Sequence, residues 1–171
     1  MQPKRLFEGF SDEEREELAG EASRRWDART VRDSNERWNR YPAREKHRIL
    51  EEGRTLHADL AAAMPKGAGS PEVQQIVQRW RDHLEYFWRP ADEQLLGLAD
   101  LYNEDPRFRR NYEEIAPGLA GFMREAVRVF VKKRQSKPAS SASRRSEGVD
   151  RSAVVPPAAW QATASLFCGC R

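Results

Sequence analysis

Between Leu101 and Phe122 the chain must turn twice, and that double corner constrains its fold more than any other stretch. Asp105-Pro106 places an N-cap oxygen just before a proline at the first helical position, where the missing N–H does no harm. Pro117 predicts the same device at the head of the last helix. Both prolines sit among apolar and aromatic neighbours, including Phe108, Tyr112, Ile115, Leu119 and Phe122, so both turns are expected to be packed. The remaining chain is arranged before and after this corner.

Composition sets the outer limits. A chain of 171 residues with 39% apolar and 33% charged side chains fits one small helical domain with a highly solvated surface and a tail. No run of about 18 apolar residues exists, which excludes a membrane-spanning helix. The Met1-Gln2-Pro3-Lys4-Arg5 start has no apolar stretch behind it, so secretion is not expected and the reading is cytoplasmic. The sequence pI near 9.0 comes from the tail. Residues 1–134 hold 25 Lys and Arg against 25 Asp and Glu, whereas 135–171 hold 5 against 2. A balanced body argues against direct nucleic-acid binding, which concentrates cations on one face.

In chain order, Ser11-Asp12-Glu13-Glu14 forms a capping box, and Leu18, Ala22 and Trp26 give the helix behind it one narrow apolar edge. A second helical piece over 28–40 has little beyond Val31 and Trp38 to bury. Residues 1–40 are therefore expected to be marginally held, because so little apolar area offsets chain entropy. Pro42 predicts the start of a long helix to about Met64, with Ile49, Gly53, Leu56, Leu60 and Met64 on one stripe. After the Pro65–Gly69 break, Ser70-Pro71 caps a helix carrying Val73, Val77, Trp80, Leu84 and Phe87, which is expected to run into Tyr86-Phe87-Trp88. A helix from Asp92 then delivers the chain to the corner. The last helix should face inward with Leu119, Phe122, Ala126, Val129 and Phe130. From Gln135 onward the chain is Ser-rich and low in complexity, and is read as a disordered tail.

Catalytic chemistry is hard to find. His47, His57 and His83 have no repeated ligand spacing, no glycine-rich phosphate loop exists, and no cysteine precedes Cys168. Cys168 and Cys170 alone cannot complete a four-ligand metal site. No cofactor or metal is expected, and an enzyme is not expected. His83 lies one turn from both Trp80 and Phe87 and is placed at the border of an aromatic cavity, or else as a satisfied half-buried residue.

Two separated motifs carry a family resemblance. Tyr102, Asp105-Pro106-Arg107-Phe108, Tyr112-Glu113, Ile115-Ala116-Pro117-Gly118-Leu119-Ala120 and Phe122 resemble the C-terminal signature of the TipAS antibiotic-recognition family. Leu6-Phe7, Gly9-Phe10, Glu21-Ala22 and Arg25-Trp26 resemble its N-terminal motif. The resemblance spans about Leu6 to Val131 and implies an all-α, globin-like antibiotic-binding domain. It also implies a loosely held N-terminal lid over residues 1–40 and a ligand-binding core over 41–134, with 135–171 as the tail.

The implied function is non-enzymatic binding and sequestration of bulky hydrophobic, thiopeptide-like antibiotics, with the lid folding on binding. Many members carry the domain behind a MerR-type DNA-binding head. This chain starts at the domain's first motif, so the stand-alone, sequestering form is expected. Type members can attach thiopeptides through a cysteine at the position of Pro90–Ala91, where this chain has none; binding is therefore expected to be reversible. The expected cavity-lining residues are Trp80, His83, Phe87, Trp88, Tyr102, Phe108 and Tyr112, with Trp26 and Trp38 on the lid. The alternative makes most of these ordinary core. A second function class is a regulatory effector or interaction module of a MerR-type transcriptional system that binds a protein partner. Oligomeric state is left open.

Overall fold

The computed structural model describes Glu13, Glu17, Asp33 and residues 36–136. The Ser11 capping box, Trp26, Val31 and the tail with Cys168 and Cys170 lie outside the described residues. Residues 36–40 are helical and end in a turn closed by Tyr41 N–H donating to the Trp38 carbonyl at 3.3 Å. Five α-helices follow, and there is no strand among the described residues. None of these helices is long and apolar enough to cross a membrane.

Helix α1 spans Ala43–Ala63, one residue after Pro42, which is extended at φ −64°, ψ 158°. Its inner stripe is wider than the expected one, because Leu50, His57 and Ala63 are buried beside Ile49, Gly53, Leu56 and Leu60. A 3-10 turn over Met64–Lys66 ends at Gly67, whose φ of 84° favours glycine. Helix α2 spans Pro71–Leu84, and Ser70 Oγ accepts from the Val73 N–H at 3.3 Å as the capping chemistry requires.

The expected run of α2 into the aromatic triplet is corrected. The helix stops at Leu84, and a turn in which the Phe87 and Trp88 N–H groups both donate to the Leu84 carbonyl at 2.9 Å carries the aromatics. Successive helical side chains point about 100° apart and cannot all face one core. Leaving the helix lets Phe87 and Trp88 both be buried while Tyr86 stays half-buried.

Helix α3 spans Asp92–Glu104, with Gln94 Oε1 accepting from the Ala91 N–H at 2.8 Å. At the first half of the corner Asp105 Oδ1 accepts from the Arg107 N–H at 2.9 Å, and α4 spans Pro106–Ile115. The second half differs from expectation. Helix α5 begins at Leu119 and runs to Ser136, so Pro117 precedes the helix instead of opening it. Ala116 is extended (φ −156°, ψ 134°), as a residue before proline prefers. Gly118 then makes the turn with φ 84°, its N–H donating to Glu113 Oε2 at 2.7 Å. Pro106 and Pro117 are both exposed, and the packing at each turn comes from Phe108 and Leu119.

Helix α5 packs along α3 and against α2 and α4, while α1 lies along α2. That central position explains its broad buried face of Leu119, Ala120, Met123, Ala126, Val127, Phe130 and Val131. Phe122 and Val129, expected on the inner face, sit half-buried at its margins.

Candidate functional site

Helical spacing on α4 turns Phe108 and Tyr112 to the same side, where Tyr102 arrives from the last turns of α3. The three rings form a column, with centroids 5.6 Å apart for Tyr102 and Phe108 and 5.2 Å for Tyr102 and Tyr112. Tyr112 continues to α1, where its hydroxyl lies 3.1 Å from His57 Nε2 and the rings cross edge-on at 5.1 Å. A second aromatic group surrounds the turn after α2. Trp38 lies 5.2 Å from Phe87, Phe87 meets His83 edge-on at 5.8 Å, and His83 meets Tyr86 at 5.6 Å. Geometry of this kind favours ring pairs beyond simple area burial.

Polar groups flank the second set. His83 Nδ1 lies 3.4 Å from Glu52 Oε1, and Glu52 Oε2 accepts from Arg48 Nη1 at 3.1 Å. Burial, with a smaller push from the neighbouring His83, brings His57 down to about 3. Burial also holds His83 below the ordinary histidine range, against the opposing pull of Glu52. Tyr112 is raised by burial and by Tyr102. All three are therefore neutral at pH 7.

Of the expected site residues, Trp38, His83 and Phe87 come together in one group and Tyr102, Phe108 and Tyr112 in the other. Trp80 stands apart, packed with Leu56, His57, Ile76 and Met123 around an interstice with no room for a water molecule. Trp88 is buried with no ring contact and no partner for its Nε1 among the described residues. Trp26 lies outside the described residues. Trp80, His83, Phe87, Trp88, Tyr102, Phe108 and Tyr112 are each at most 7% exposed, so all seven are buried in the core.

Sequence reading did not pick out His57, Glu52, Tyr86 or the buried Asn111. Tyr86 and Glu52 lie on local positions that look like solvated helix, and only partners distant in sequence give them a role. His57 did carry a signal: it sits one residue after Leu56 on the inner stripe of α1.

Described residues of the N-terminal region reach the second group and the corner. Arg37 Nη1 donates to the Glu85 carbonyl at 3.1 Å, and Tyr41 Oη donates to the Tyr86 carbonyl at 3.1 Å. Glu17 lies 3.8 Å from Arg107 at the corner. An open groove of about 580 Å³ lies elsewhere, between α2 and α5, lined by Gln74, Gln75, Gln78, Phe130, Lys133 and Arg134. It shares no residue with the aromatic groups. Among the described residues no cluster of His, Cys, Asp or Glu is arranged to hold a metal ion.

The model of the TipAS antibiotic-recognition domain family matches residues 18–130. This protein belongs to the TipAS family. Its matched region includes every element from α1 to α4 and most of α5. The TipAS chain is 31% identical over 146 residues to the HTH-type transcriptional regulator SkgA of Caulobacter vibrioides, covering 78% of this chain and 55% of that one. It is 27% identical over 135 residues to the HTH-type transcriptional activator mta of Bacillus subtilis, covering 76% and 52%. With the HTH-type transcriptional activator TipA of Streptomyces coelicolor the identity is 29% over 133 residues, covering 74% and 52%. The chain thus spans about half the length of the relatives it matches. No solved structure matches it significantly.

Proposed function

We propose that this TipAS chain binds bulky, apolar, thiopeptide-like antibiotics reversibly in the cytoplasm and sequesters them. The observation that carries the proposal is the pair of buried aromatic groups within the TipAS match, one of them covered by Trp38 of the N-terminal region. In this reading residues 1–40 act as a lid, residues 41–134 as the binding core and 135–171 as a tail. Trp26 and Trp38 belong to the lid, and Trp80, His83, Phe87, Trp88, Tyr102, Phe108 and Tyr112 to the wall.

The physical logic is exchange of contacts. Trp38 covers Phe87 without ligand, and its helical turn is otherwise exposed at Glu36, Arg37, Asn39 and Arg40. A large apolar macrocycle that replaces Trp38 on Phe87 buries ring surface on both partners, and closure of the lid over it buries more. No cysteine between Met1 and Phe167 is present to form a covalent adduct, so affinity rests on shape and apolar burial. Titrating a thiopeptide is expected to change tryptophan fluorescence and raise helicity. Unchanged spectra across several hydrophobic antibiotic classes at saturation contradict the proposal.

A second reading makes the domain the effector module of a transcriptional system. It is favoured by the relatives, which are HTH-type regulators about twice the length of the matched region. Recovery of a DNA-binding partner in a pull-down, with no response to small molecules, supports this reading over sequestration.

A further inference from the structure

We propose that His83 is a hydrogen-bond acceptor built into the wall to read an N–H or O–H group of the bound molecule, and that Glu52 and Arg48 are positioning residues that hold it in the accepting state. The inference rests on the binding role proposed above and adds a polar requirement to it.

Glu52 bridges Arg48 and His83. Its Oε2 accepts from Arg48 Nη1 at 3.1 Å and lies 3.4 Å from the Tyr86 hydroxyl, which leaves Oε1 directed at His83 Nδ1, also 3.4 Å away. Arg48 is fixed in turn, because its Nη2 donates to Tyr86 Oη at 3.1 Å and its guanidinium lies 5.2 Å from the centre of the Tyr86 ring. The relay runs inward, from an Arg48 side chain that is 49% exposed to a His83 side chain that is 1% exposed.

An ionised carboxylate only accepts hydrogen bonds, so the imidazole nitrogen facing it carries the proton. Nε2 is then left with its lone pair. That atom is shielded from solvent and has no hydrogen-bond partner among the described residues. Buried polar atoms without partners are uncommon in folded proteins, and one at the end of an ordered relay calls for a role. Burial keeps the ring neutral and so keeps the lone pair available.

Position supplies the rest. The His83 ring borders Phe87, and Phe87 is the ring that Trp38 covers. A molecule that takes the place of Trp38 brings its apolar surface against Phe87 and its polar edge beside His83. The ligand class that fits both is an aromatic or apolar macrocycle with at least one secondary amide N–H or hydroxyl. A fully N-alkylated or ester-linked analogue of the same shape is discriminated against, since a site built for a hydrogen bond rejects a partner that lacks it.

The test is imidazole nitrogen NMR on the full chain, with and without a thiopeptide. In the free protein His83 is expected to carry its proton on Nδ1, to keep that form in Glu52→Gln, which retains an acceptor oxygen, and to move the proton to Nε2 in Glu52→Ala. Because Glu52 is half-buried between Arg48 and His83, these variants leave the core intact. On adding thiopeptide the Nε2 resonance is expected to shift towards the hydrogen-bonded range, and Glu52→Ala to weaken binding by about tenfold or more. A wild-type proton on Nε2, or a tautomer indifferent to Glu52→Ala, overturns the inference. Shifts elsewhere in the wall with Nε2 unmoved overturn it while leaving antibiotic binding standing. Silence at every resonance removes both.

Discussion

The His57–Tyr112 pair shows how a single residue contact ties distant helices into one interior. Both side chains are shielded from solvent, and their hydrogen bond joins α1 to α4 across a sequence separation of 55. Tyr112→Phe keeps the ring and removes the hydroxyl, and should cost about 1–2 kcal/mol in urea unfolding. The pair also sets a pH dependence. His57 titrates near 3 in the folded chain and near 6.5 when unfolded, so its contribution to stability is complete above pH 6.5. As pH falls from there towards 3, the unfolded chain takes up the proton and the folded one does not. The melting temperature is therefore expected to fall between pH 7 and pH 4, and to fall less in His57→Gln, as calorimetry at stepped pH will read. At the corner, Asp105→Ala removes the acceptor of the Arg107 N–H and should cost about 1 kcal/mol by the same unfolding assay.

At the scale of elements, caps and stripes were legible because their chemistry is local. Ser70 and Asp105 announce their helices by side-chain oxygens placed two or three residues before the amides they satisfy. Pro117 was misread because proline rules specify where a helix can start, not which nearby residue supplies the turn; Gly118 and Glu113 do so here. The aromatic triplet was misread for the opposite reason. Its apolar density continues the helical pattern of α2, and only the packed core shows that a turn buries Phe87 and Trp88 together. The aromatic groups were legible as residues, yet their division into two sets was not, since it depends on which helices meet. Residues 36–40 yield an element-scale prediction. Trp38 is the one half-buried side chain of that turn, the other four being exposed. Its amides are expected to exchange hydrogen much faster than those in the middle of α2 and α5, and to slow when a thiopeptide binds. Equal protection of all three segments in the free protein contradicts a weakly held lid.

For the whole molecule, α1–α5 form a ring-lined interior largely within the TipAS match, and the open groove between α2 and α5 lies away from it. Under the proposed function this interior opens to a large apolar ligand and closes again around it. Ligand that binds only the folded chain stabilises it by about 2.7 kcal/mol at a hundredfold excess over Kd. The most direct test is the thermal melting of the full chain with a saturating thiopeptide. A rise in Tm on the order of 10 °C is expected, reached at a one-to-one ratio. An unchanged Tm with the thiopeptide and with a panel of other hydrophobic antibiotics contradicts it.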